Sequence, residues 1–89
     1  ISGGVANKVA QVIKGISEKR QVIVITHLPQ MAGRGDEQFL VFKEEEEGSV
    51  NTRLRKLTQK ERIAEVARML SGDDPSESAL DTAKDLLEI

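Results

Sequence analysis

Apolar residues near the start of the chain fall at Val5, Val9, Val12, Ile13 and Ile16, an i, i+4, i+7, i+8, i+11 spacing. That spacing predicts one apolar stripe on a helix, with Asn7, Lys8, Gln11 and Lys14 on its polar face. Ile1 to Gly4 reads as a loop leading in, Gly15 weakens the last turn, and Ser17 to Arg20 forms a polar connection. The pattern then changes. Val22-Ile23-Val24-Ile25-Thr26 has no polar alternation, which is how a strand covered on both faces of a parallel sheet reads. Helix followed by buried strand is the second half of a βαβ unit, so a parallel strand is expected ahead of residue 1. His27, the sole histidine, follows the run at the strand end where open α/β sheets place their ligand crevices, and Pro29 ends the strand.

Beyond it, Leu28 to Gly33 suits a short helical turn, broken by Gly33-Arg34-Gly35-Asp36. Gln38 to Lys43 predicts a second strand, Glu44 to Ser49 an acidic turn, and Val50 to Leu57 a third strand with Val50, Thr52 and Leu54 on one face. The pair reads as an antiparallel hairpin at a sheet edge, its charges discouraging further pairing. Thr58-Gln59-Lys60-Glu61 is a capping box. The helix it opens should bury Ile63, Val66, Ala67 and Leu70 and stop at Gly72. Asp74 as N-cap and Pro75 at the first helical position predict a last helix, with a stripe of Ala79, Leu80, Ala83, Leu86 and Leu87.

Composition narrows the picture. Eighty-nine residues suffice for one domain at most, or part of one. Only 2% are aromatic, so the core must come from Val, Ile, Leu and Ala. A net charge of −2 and a pI near 5.4 give no general footprint for nucleic acid. The absence of cysteine excludes disulfides and thiolate metal sites. No run approaches the roughly 18 apolar residues of a membrane span, and nothing at the start resembles a signal peptide. A chain opening Ile-Ser-Gly-Gly without Met reads as an excised piece of something longer or as a processed product.

No complete catalytic constellation is present in the sequence. A phosphate-cradling glycine loop ending in Lys-Ser/Thr, a His-Glu-x-x-His pair and a serine elbow are all missing. His27 has two readings on local pattern: a histidine satisfied at a strand end, or a hydrogen-bond donor aimed at an anion such as phosphate. Arg53, Arg55 and Lys56 could meet DNA phosphates, yet alternation puts Arg53 and Arg55 on one solvated strand face. Glu44 to Glu47 suits a solvated hairpin tip better than a cation site.

Several stretches together resemble a known family. Ile1-Ser2-Gly3-Gly4-Val5-Ala6, followed about twenty residues on by Val24-Ile25-Thr26-His27-Leu28-Pro29-Gln30, resembles the C-terminal part of the ATPase head of the RecN family. These are bacterial recombination and DNA-repair proteins related to the SMC and ABC-type ATPases. Phe39-Leu40-Val41-Phe42-Lys43, the Glu-rich hairpin, Ile63 to Gly72, Ala79-Leu80 and Ala83-Lys84-Asp85-Leu86-Leu87 agree, so the likeness covers essentially the whole chain.

The resemblance implies an α/β fold, the C-terminal part of a P-loop NTPase head of ABC/SMC type. A buried parallel strand and an edge antiparallel hairpin would be flanked by helices, with residues 1–89 forming a single segment. His27 would be the switch histidine contacting the γ-phosphate of ATP. Ile1, Ser2 and Gly3 would be the tail of the D-loop at the head–head interface, and Gln30 would orient a water or the loop. Many ABC-type ATPases carry Asp where Ser2 stands, so the D-loop carboxylate role does not transfer. Walker A, signature and Walker B motifs would lie upstream. ATP and Mg²⁺ are therefore expected in the full-length protein, and neither binding nor hydrolysis by this segment alone. Implied partners are the N-terminal half of the same head, a second head in a homodimer, and DNA through the full-length protein. No membrane partner is implied, and the location would be cytoplasmic, at the bacterial nucleoid. The contrasting reading is a free-standing small α/β binding module with a structural His27.

Overall fold

The computed structural model describes residues 3–89, so the D-loop assignments of Ile1 and Ser2 lie outside the described residues. In chain order the elements are α1 (Gly3–Ser17), α2 (Pro29–Ala32), β1 (Phe39–Glu46), β2 (Ser49–Lys56), α3 (Gln59–Ser71) and α4 (Glu77–Leu87). Helices and a two-stranded antiparallel hairpin thus make an α/β arrangement.

The best-packed part is the α3–α4 pair. Val66 and Ala67 of α3 bury against Ala79, Ala83 and Leu87 of α4, with Ile63, Leu70, Leu80 and Leu86 half-buried at the margin. Small residues on α4 let the two helices approach closely, leaving Val66 as the largest fully buried side chain. The capping box opens α3 as the spacing predicts: Thr58 Oγ1 accepts from the Glu61 amide at 3.3 Å, and Glu61 Oε1 accepts from the Thr58 amide at 3.0 Å. Gly72 closes that helix at φ +96°. The start of α4 differs from expectation. Ser76, not Asp74, is the N-cap, its hydroxyl accepting from the Ala79 amide at 3.1 Å. Pro75 therefore precedes the cap, where its fixed φ shapes the approach instead of the first turn.

The hairpin is longer than the pattern suggests. Glu44 to Glu46 join β1, and the turn shrinks to Glu47 and Gly48, both at positive φ (47° and 82°), as a tight turn matched to strand twist requires. Val41 pairs with Leu54 and Phe42 with Arg53, so one face carries Phe39, Val41, Val50 and Leu54 and the other Leu40, Phe42, Arg53 and Arg55.

Two sequence expectations are overturned. Val22–Thr26 forms no regular element and belongs to no sheet, and no described residue pairs with it. Ile23 is 84% and Ile25 96% exposed, against 37% for Val22 and 43% for Val24. Exposure alternates along the run, but no neighbour among the described residues buries it, so it is not a buried parallel strand there. Nor does the hairpin lie on the edge of a larger sheet.

The inward face of α1 is also shifted. Val5, Val9, Val12 and Ile16 of the predicted stripe are exposed and Ile13 is half-buried, whereas Ala6 and Ala10 are buried. Here α1 packs on α2, and the close contact selects small side chains over the bulkier valine stripe.

Candidate functional site

His27 sits between the Val22–Thr26 run and α2, and it is exposed. Two local devices shape the backbone there. The Thr26 hydroxyl accepts a hydrogen bond from the Leu28 amide at 3.0 Å, spanning His27 in a short side-chain turn. Leu28 is held extended (φ −98°, ψ 120°) by the following proline, and Pro29 then opens α2 at the position where a missing N–H costs nothing. The Leu28 carbonyl accepts from Met31 and Ala32 at 3.1 and 2.9 Å, so α2 grows directly from the residue after the histidine.

Around this turn lies an open groove of about 1050 Å³, bounded by Val22–His27 on one side, Phe39, Val41 and Leu54 of the hairpin on another, and Val66 of α3 below. The histidine stands at its margin, neither sealed in an apolar interior nor bonded to another side chain in the contacts described.

The other anticipated residues divide. Gly3 and Gln30 come together: a β-carbon at Gly3 would lie 3.2 Å from Gln30 Nε2, so the start of α1 rests against the Gln30 amide. Arg53 and Arg55 share a face, as alternation requires, and are matched by acids: Arg53 lies 3.6 Å from Glu44 and 3.5 Å from Glu46, and Arg55 pairs with Glu61. Among the described residues, no cluster of three or more His, Asp or Glu is placed to hold a metal ion.

Sequence reasoning missed the polar residues that fasten this turn to the helices. Arg34 donates from Nη2 to Asn7 Oδ1 at 3.1 Å. The Gln38 amide donates to the carbonyls of Ala32 and Gly35 at 2.8 and 2.9 Å, capping the end of α2, while its oxygen accepts from Arg62 of α3. Asn7 and Lys14 do lie on the polar face of α1, but that face is engaged: Asn7 meets Arg34 and Lys14 meets Asp36. The available signal was their spacing from Gly3, at steps of four and eleven on one helical face.

Comparison with known proteins bears on the whole chain. No family model matches it. It is 45% identical over 87 residues to the DNA repair protein RecN of Vibrio cholerae, and 39% identical over 89 residues to that of Halalkalibacterium halodurans. Against RecN of Deinococcus radiodurans the identity is 44% over 87 residues. These alignments take in 98 to 100% of the chain. The chain belongs to the RecN family. It corresponds to a C-terminal segment of RecN and spans only 15 to 16% of the length of those relatives. No helix among the described residues is long and apolar enough to cross a membrane.

Proposed function

We propose that this segment is the C-terminal lobe of a RecN ATPase head, and that His27 is its switch histidine, contacting the γ-phosphate of ATP. The parent would use ATP-driven dimerisation of two heads in double-strand-break repair and recombination, in the cytoplasm at the nucleoid. Support comes from the relatives, each named a DNA repair protein, and above all from one structural observation. His27 is exposed at the end of a Val/Ile run whose side chains are open to solvent. Contiguous exposed apolar surface of this kind argues for further protein against it, and against a free-standing module.

An exposed imidazole on a backbone fixed by Thr26 and Pro29 suits a donor to an anionic oxygen. A donor already in place strengthens as charge develops there, without reorganisation. Bound ATP would supply the phosphoanhydride bond. The cradle for its phosphates and the Mg²⁺ ligands would come from residues outside this chain, in the N-terminal half of the same head. Gln30, resting on Gly3, would join the histidine turn to the start of α1 and so to the D-loop tail at the interface with a second head.

The test is His27→Ala in the full-length protein. ATP turnover should fall by about 10- to 1,000-fold, the loss seen for single transition-state donors, with the circular dichroism spectrum and thermal transition retained. Wild-type turnover would end the assignment.

A further inference from the structure

α2 has four residues, yet it touches α1, α3 and α4, while α1 touches no other described helix or strand. What keeps α2 on α1 therefore also decides where the preceding turn, with His27, sits relative to α1. Besides the solvent-exposed Lys14–Asp36 pair, the polar link between them is Arg34. Its amide donates to the Met31 carbonyl at 3.2 Å, tying it to the end of α2. Its guanidinium donates to Asn7 Oδ1 at 3.1 Å across a part-buried contact. The second arm lies 3.8 Å from Glu88, whose side chain is 78% exposed. A loose, solvated ion pair of that kind contributes little, whereas a hydrogen bond from a charged donor to a partly buried amide oxygen is among the stronger ones.

We propose that Arg34 is a positioning residue: by bonding Asn7 it holds α2 against α1 and so fixes the backbone from which His27 projects. This rests on the reading of His27 given above. Arg34 acts through that backbone and touches no reacting atom.

The experiment uses full-length RecN carrying Arg34→Ala, Asn7→Ala, both together, Asn7→Asp, and His27→Ala as reference. Steady-state ATP hydrolysis and hydrogen exchange across residues 28–34 are the two readouts. Displacement of a catalytic group by an ångström costs up to about a hundredfold. Arg34→Ala and Asn7→Ala should each lower kcat by about tenfold while KM for ATP changes less than about twofold. Because both remove the same bond, the double variant should be no worse than either single one. Asn7→Asp keeps an acceptor for the guanidinium and should restore kcat, a rescue that loss of packing alone would not give. Exchange of the α2 amides should quicken in both alanine variants and not in Asn7→Asp. If His27→Ala lowers turnover but the alanine variants leave kcat and α2 exchange unchanged, or their effects simply add, the positioning role is overturned. If His27→Ala itself is silent, the histidine assignment fails, and the positioning role of Arg34 fails with it.

Discussion

At the scale of single residues, the most legible feature is the start of α3. The Thr58 amide, then the Arg55 guanidinium and the Thr58 hydroxyl, bond the Glu61 carboxylate and hold its pKa at about 2, below the ordinary 4.5. A carboxyl whose pKa is lowered on folding stabilises the fold above its unfolded value and loses that contribution as pH falls towards the folded one. Protection of the first α3 amides against hydrogen exchange should therefore decline between about pH 4.5 and 2, and Glu61→Gln should flatten that decline. Thr58→Ala should cost about 1 kcal/mol at neutral pH, read as faster exchange of the Glu61 amide. This cap was legible because its partners are three residues apart. The Asn7–Arg34 bond joins residues 27 positions apart, and no local rule pairs them.

Between elements, packing overrides pattern. The periodicity of α1 identifies a helix correctly but not its inward face, since the valine stripe and the alanine face are both plausible and the neighbour decides. Close approach recurs where α2 meets α4. Gly33 is buried, and a β-carbon there would lie 2.9 Å from Leu86 Cβ and 3.1 Å from the Leu86 carbonyl oxygen. Backbone cannot swing aside as a flexible side chain does, so Gly33→Ala must push α2 from α4, at a cost of about 1–3 kcal/mol. Thermal unfolding of full-length RecN, with exchange at residues 29–32, measures it. Unchanged stability and exchange would show that the two helices give way freely.

For the whole molecule, the outstanding feature is apolar surface left open: Ile23 and Ile25, the valine stripe of α1, and the Phe39–Val41–Leu54 face of the hairpin. Burial of a side chain such as Ile is worth roughly 1.5–3 kcal/mol, so leaving so much exposed forgoes a substantial part of the available stabilisation. In the full-length protein, the amides of residues 22–26 should exchange at least about a hundredfold more slowly than in the separate 89-residue segment. Equal rates would mean that nothing covers the run.

The sequence alone determined the helices, the hairpin and the α3 cap, because each follows from steric and hydrogen-bonding preferences within a few residues. It also carried the family likeness. Tertiary structure decided which face of α1 turns inward, that α2 joins three helices, and that Arg34, Gln38 and Asn7 fasten the histidine turn. Those outcomes depend on contacts between residues far apart in the chain, where the size and position of a neighbour, and not local periodicity, set the energy.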